Sequence, residues 1–367
     1  MKIIIDNILF HLQKTGGASV YWYELISRLL KSNHEIVFIE QAGGKCDRNI
    51  FWQRLALNNI LYEKKTPIVL LRYFPVRIHL KADKPFIFHS THYRVLNNKK
   101  ALNITTVHDF TYEKYIKGIK KWVHHIQKRH AIKQSAGIIC VSNHTKDDLL
   151  HYFPWVDESK IKVIYNAVSD KFYKIPDSKQ INLETGAEIA SLTTMKYILF
   201  VGGRSGYKNF NLAVDVISKL PAEYHFVIVG PGLQESEKSM LEKINGRFSH
   251  FKEVATEELN ILYNFAFCLL YPSSYEGFGI PVIEAMKTGC PVVASNVSSI
   301  PEVAGNAGVL VDNISSVGFL SAVLKLENET FRNDIIEKGY LQADKFSWEN
   351  SYQQLIKFYD DILTQYN

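Results

Sequence analysis

The sequence is poor in cysteine, and its four cysteines do not cluster. Cys46, Cys140, Cys268 and Cys290 stand far apart, with no CxxC and no Cys/His spacing, which argues against a disulfide framework and a structural zinc and points to a reducing cytoplasm. No apolar run reaches the roughly 18–20 residues that span a bilayer, so any membrane association is expected to be peripheral, at the inner face of the cytoplasmic membrane. The apolar start Met1–Ile5 is broken by Asp6 with no small-residue cleavage site behind it, and reads as a first strand instead of a signal peptide. Repeats of roughly 20–50 residues and low-complexity tracts are missing, which removes solenoids and coiled coils. There is no DxD in a suitable loop, since Asp147-Asp148 and Asp360-Asp361 read as helix-surface pairs; no metal and no other cofactor is expected. A net charge of +6 over 367 residues is too modest to suggest a nucleic-acid partner.

What is present is ordinary globular composition, 46% hydrophobic and 22% charged, in a chain too long for one core. Short apolar runs alternate with amphipathic stretches: Lys2 to Ile5, Glu35 to Glu40, Phe86 to His89, Ile104 to Val107 and Gly137 to Val141, then Tyr197 to Val201, Tyr224 to Val229, Cys268 to Tyr271, Pro291 to Ala294 and Val309 to Val311. Continuous apolar runs of this length, separated by helices, predict parallel sheets buried on both faces, hence two α/β units in succession. The polar, aperiodic stretch Lys171 to Met195, with Pro176 and Gly186, is the expected linker. The domains are accordingly 1–175 and 190–347, followed by a C-terminal helix over 348–367. The helix shows Tyr352, Leu355, Ile356, Tyr359 and Leu363 at helical spacing, but the pattern does not say where it packs.

Two stretches carry chemistry. Glu276-Gly-Phe-Gly-Ile-Pro-Val-Ile-Glu284 follows an apolar strand and opens a helix. Its glycines free the backbone for close ligand approach, Pro281 suits a first helical turn, and the amides of Phe278, Gly279 and Ile280 then face outward at a helix N-terminus, which attracts phosphate. Glu276 can accept from sugar hydroxyls and Glu284, one turn inside, from a ribose diol. Either glutamate alone could be a capping or surface carboxylate; two in one Gly-rich turn favour a ligand. The second stretch, Val201-Gly-Gly-Arg-Ser-Gly-Tyr-Lys-Asn209, combines three glycines with Arg204 and Lys208, a planar fork and a point charge suited to a diphosphate and to negative charge developing on it. A crossover turn with two solvated cations would look the same, and the loop is neither a Walker motif nor GxGxxG.

Together these segments resemble the retaining GT-B glycosyltransferases of family 4, and the resemblance runs along nearly the whole chain. The matching elements are a Glu-x7-Glu signature at Glu276 and Glu284, the Gly202 to Asn209 loop, SxxPEVxGxAG over Ser298 to Gly308, a Gly16-Gly17 turn after the first strand, Val107-His108-Asp109, Val141 to Thr145, and Val163 to Asn166. The resemblance implies an α/β GT-B fold, two Rossmann-like domains facing each other across a cleft, with the last helix crossing back to the N-terminal domain. It implies a hexosyltransferase-type enzyme that moves a sugar from a nucleotide sugar to an acceptor held by the N-terminal domain. It assigns Arg204 and Lys208 to the donor phosphates, Glu276 to sugar hydroxyls, Glu284 to the ribose, Gly16, Gly17 and Gly203 to close phosphate approach, and His108 to the transferred sugar. Taken by themselves, His108 and Asp109 are a polar pair ending a strand. One departure is Asn166-Ala167, where the pattern has Asn-Gly, which leaves Asn166 open as a ligand contact.

Between Lys114 and Lys133 lie Lys117, Lys120, Lys121, Lys128 and Arg129 with three histidines and no carboxylate. This basic stretch with Tyr115 and Trp122 is either a solvated helix face or a surface for anionic membrane or a pyrophosphate-bearing acceptor. A glycan or lipid-linked oligosaccharide, in surface polysaccharide or O-antigen synthesis, is the expected acceptor. Two alternatives stay open: a sugar-nucleotide epimerase or hydrolase of the same fold, and a non-catalytic nucleotide-sugar-binding subunit.

Overall fold

A computed structural model describes residues 1–43, 49–176 and 187–366. The chain divides into two compact units, Met1–Asn166 with Trp348–Asn367, and Ala167–Ser347.

The first unit is built on a seven-stranded parallel sheet. Its strands are β1 (Lys2–Asp6), β2 (Glu35–Gln41), β3 (Ile60–Glu63), β4 (Phe86–Ser90), β5 (Ala101–Val107), β6 (Ser135–Cys140) and β7 (Ile161–Val163), in the order β3-β2-β1-β4-β5-β6-β7. Ile3, Ile4 and Ile5 and then Phe86, Ile87 and Phe88 are buried because both faces of the central strands are covered, leaving no polar alternation. β3 and β7, which have no counterpart among the apolar runs of the sequence, are edge strands. Half of each is solvent-facing, so no continuous apolar run betrays them.

Helix Gly17–Leu29 buries Tyr21, Trp22, Leu25, Ile26 and Leu29 on one face. Helix Trp348–Tyr366 packs against it and against β4. The space for this helix comes from Gly137 in β6, where a Cβ would lie 2.3 Å from Ile362 Cδ1 and 2.7 Å from Phe358 Cζ. Tyr359 then reaches His89 Nδ1 at 2.6 Å, and Ser351 Oγ donates to the Tyr165 carbonyl at 2.8 Å.

The second unit has a six-stranded parallel sheet of β8 (Lys196–Val201), β9 (Tyr224–Val229), β10 (Phe248–Phe251), β11 (Cys268–Tyr271), β12 (Val292–Ser295) and β13 (Val309–Val311). Their order is β10-β9-β8-β11-β12-β13, the doubly wound Rossmann arrangement. β10 is again a half-exposed edge strand that the sequence pattern does not mark.

The first unit ends at Asn166, ahead of the expected 175. Val168 bridges to Ser347, Phe172 is buried against Tyr263, and the amides of Tyr173 and Ile175 donate to Asn260 and Asn264, so this segment is tied to the second unit. The expected linker also contains a helix, Ala187–Leu192, whose Ile189 and Leu192 are buried. Its residues 177–186 lie outside the described residues.

Candidate active site

In a sheet of this order, the strands on either side of the reversal send their following helices to opposite faces, so a crevice opens at their carboxyl ends. In the second unit the reversal lies between β8 and β11. The loop Gly202 to Asn209 leaves β8 there, and the loop ending at Gly279 leaves β11 beside it. Gly202 (φ 120) donates to the Val229 carbonyl at 2.9 Å, and Gly230 opposite could not carry a Cβ, which would fall 2.2 Å from the Gly202 oxygen. Gly203, expected to make room for a ligand, has open space where a Cβ would stand.

Asn209, in left-handed backbone, begins helix Phe210–Lys219 and fastens the two loops together. Its side-chain amide donates to the Pro272 carbonyl and to Ser274 Oγ, both at 2.7 Å, while the Ser274 amide donates to the Tyr207 carbonyl. The result is that Lys208 Nζ meets Glu276 Oε1 at 2.5 Å, across the reversal point. The Tyr207 and Tyr271 rings lie 5.3 and 5.5 Å from the same ammonium, within cation–π range.

Two serines that the sequence motif contained without a role hold the Glu276 loop. Ser298 accepts from the Glu276 amide at 3.0 Å while itself in left-handed backbone (φ 54), and Ser299 Oγ donates to the carbonyls of Glu276 and Phe278. Gly279 (φ 98) then caps helix Ile280–Thr288, with Pro281 in its first turn. The Phe278 ring is buried edge-on to Phe346 at 5.5 Å and is taken up in packing, and Ile280 is half-buried. Glu284, one turn into the helix, accepts from Tyr263 Oη at 2.9 Å. Burial pushes its carboxyl up to about 7, against the opposing effect of that hydrogen bond.

Arg204 belongs to the same loop but is anchored on the other side. Its Nε lies 3.0 Å from Glu237 Oε1, and Nη2 donates to the carbonyls of Pro231 and Gly232 after β9. Glu237 Oε2 in turn accepts from the Gln234 amide at 2.8 Å. Glu237 was not among the sequence candidates, and its only sequence signal is the capping-box spacing from Gln234.

In the first unit His108 follows β5, its ring edge-on to Tyr21 at 5.0 Å. Tyr21 stands one turn into the helix whose N-cap is Gly16 and whose first residue is Gly17, so Tyr21 connects the three candidate residues of this unit. A Cβ on Gly16 would meet only the flexible end of Gln13. His108 Nε2 is buried with no hydrogen-bond partner, and burial lowers the imidazole to about 4, leaving it neutral at pH 7. Asn166 is buried too, its Oδ1 likewise without a partner.

Lys128, which the sequence places on the basic face, is in fact buried. It pairs with Glu113 at 2.9 Å, donates to the Asp109 carbonyl at 2.8 Å and lies 4.1 Å over Phe110, thereby bracing the His108-Asp109 turn. His124 is buried as well, stacked on Tyr112, and Lys114 pairs with Asp148, which proves to be buried and not a surface carboxylate. Among the described residues no His, Cys, Asp or Glu cluster could hold a metal ion, and no helix is long and apolar enough to cross a membrane.

Two Rossmann-like parallel sheets in one chain, the second with cations and carboxylates at its reversal point, are the architecture of the GT-B fold. Residues 185–342 match the family Glycosyl transferases group 1, and residues 15–172 match Glycosyltransferase Family 4. The O-antigen chain mannosyltransferase B of Escherichia coli is 29% identical over 76% of this chain and 75% of its own. An uncharacterized 41.2 kDa protein in the cps region of Klebsiella pneumoniae is 31% identical over 73% of this chain and 74% of its own. The structure of Anabaena HepE in complex with UDP and glucose superposes with a TM-score of 0.73, at 16% identity, covering 97% of this chain and 98% of that one. The chain belongs to the GT-B glycosyltransferases of the group 1 and family 4 type.

Proposed function

We propose that this enzyme transfers a hexose from a nucleoside-diphosphate sugar to a hydroxyl of a glycan or lipid-linked oligosaccharide, with retention of anomeric configuration, in bacterial surface polysaccharide or O-antigen synthesis. The observation that carries the donor assignment is the Lys208–Glu276 pair at the reversal point of the second sheet, a cation and a sugar-hydroxyl acceptor in contact beside a helix N-terminus. The mannosyltransferase of Escherichia coli and the UDP and glucose bound by Anabaena HepE support the substrate classes.

In this mechanism the bond from the anomeric carbon to the diphosphate oxygen breaks while the acceptor oxygen bonds to that carbon on the same face, through an oxocarbenium-like transition state. The departing diphosphate takes the acceptor's proton, so no enzymic nucleophile is required. Lys208 and Arg204 stabilise the charge that grows on the leaving group, Glu276 holds the sugar hydroxyls, and Glu284 and the amides of Phe278, Gly279 and Ile280 hold ribose and phosphate. Gly16, Gly17 and Gly203 allow the backbone near the phosphates. Neutral His108 offers its unpartnered Nε2 to the transferred sugar. Transfer needs no bound metal, and activity is expected to survive EDTA.

The test is a thermal-shift panel of UDP, GDP, ADP, CMP and dTDP on the wild type and Lys208→Ala, followed by product analysis with the matching sugar nucleotide. Stabilisation by one nucleoside diphosphate, lost in the variant, and a glycosidic product with retained configuration are expected. No shift with any nucleotide, or only free or epimerised sugar as product, overturns the proposal.

A further inference from the structure

Helix Ile119–Gln134 buries Gln127, Lys128, Ala131 and Ile132 against the first unit and leaves Ile119, Trp122 and Ile126 on its outer face. Large apolar side chains are uncommon at such exposure, 80% for Ile119 and 65% for Trp122, and here they stand at helical spacing on one surface. Opposite them the segment after helix Ile68–Leu71 exposes Tyr73 and Phe74, and the Gln127 side-chain amide donates to the Arg72 carbonyl, which ties the two walls together.

Between these walls is a cavity of about 480 Å³, lined mainly by Tyr73, Phe74, Tyr93, Trp122, Val123 and Ile126. Its size and its apolar lining with few polar groups are those of a small-molecule site. Tyr93 forms part of its wall, and its ring lies 5.5 Å from Lys128 Nζ, which donates to the Asp109 carbonyl, so the cavity borders the His108-Asp109 turn. Lys117 and Lys120 are exposed at and just before the N-terminal end of this helix, while Lys121 is half-exposed on the face that Lys128 turns inward to Glu113. A concave apolar site with exposed lysines at one end of its helix wall is complementary to a molecule with an aliphatic chain and an anionic head.

We propose that this cavity seats the hydrocarbon chain of a lipid phosphate or lipid pyrophosphate that carries the acceptor sugar, with Lys117 and Lys120, at the exposed end of its helix wall, at the anionic head. The proposal rests on the lipid-linked acceptor named above and adds the place where the lipid is held. A flat membrane-docking patch would need neither the cavity nor its place beside the His108-Asp109 turn.

The experiment measures equilibrium binding of dispersed farnesyl phosphate, and separately of inorganic phosphate and of anionic phospholipid vesicles, to the full chain by tryptophan fluorescence, dialysis and vesicle sedimentation. The variants are Ile126→Asp in the wall and Lys117→Ala with Lys120→Ala at its end, all at exposed positions. Farnesyl phosphate is expected to bind, with inorganic phosphate at least tenfold weaker. Its affinity should fall at least tenfold in Ile126→Asp and severalfold in the lysine variant. Binding that neither variant weakens, binding no tighter than inorganic phosphate, or binding seen only on vesicles of anionic phospholipid each overturns the proposal, the last in favour of a membrane surface. The nucleotide panel run on the same samples separates the two ideas. Nucleoside diphosphate binding without farnesyl phosphate binding removes this inference alone, and the reverse result removes the donor assignment while leaving the lipid site.

Discussion

Replacing Glu284 by glutamine should flatten part of the pH dependence of stability. Glu284 sits half-buried in helix Ile280–Thr288, and burial raises its carboxyl from an ordinary 4.5 to about 7. Because the folded value lies above the unfolded one, the folded state holds this proton more tightly. The contribution is complete below pH 4.5 and is lost as the pH rises through 7. At about 1.4 kcal/mol per pH unit the interval corresponds to roughly 3 kcal/mol, of which about 2.5 kcal/mol falls between pH 5 and 8. A side chain that water partly reaches is screened, which reduces the expectation to about 1–2 kcal/mol. Urea unfolding of wild type and Glu284→Gln at pH 5, 6, 7 and 8 measures it: the wild type should lose that much relative to the variant across the range. A constant difference, within about 0.3 kcal/mol, would refute the assignment of a raised carboxyl. If Glu284 accepts from a ribose diol, nucleotide binding at pH 6.5 should also release protons, seen as a buffer-dependent binding enthalpy that the variant lacks.

Lys208→Ala and Glu276→Ala should each lower kcat by about 100-fold, the scale of one lost transition-state contact, with circular dichroism unchanged; near-normal turnover by either folded variant would sink the donor site. Lys128→Met leaves Glu113 buried without its cation and should cost about 3–5 kcal/mol, and the pairing predicts that adding Glu113→Gln restores much of this in urea unfolding. Gly137→Val forces a side chain into the space taken by Ile362 and Phe358, so a loss of about 1–3 kcal/mol is expected, with faster amide exchange along Trp348–Tyr366; unchanged exchange would mean the helix is not seated there.

Much of the fold is legible in the order of residues because central parallel strands are buried on both faces. Stretches such as Ile3 to Ile5 and Phe226 to Val229 therefore show as apolar runs whatever their neighbours are. The Gly279 cap and Pro281 are legible for a similar reason: local backbone geometry demands those residue types at a helix start. The edge strands Ile60–Glu63, Ile161–Val163 and Phe248–Phe251 are not, since exposure erases the apolar run, and the seat of the last helix depends on Gly137, more than 200 positions away in sequence. Sequence alone also determined which residue types stand in the two Gly-rich loops, cations, carboxylates and glycine in short spacing, the set that the proposed donor site calls for. Only the tertiary structure decided their partners: Lys208 with Glu276 across the β8/β11 reversal, Arg204 with Glu237, Glu284 with Tyr263, and Lys128 turned inward to Glu113. Pairings of that kind join segments distant along the chain, and charge acquires its meaning from burial and from what stands opposite, neither of which a linear pattern contains.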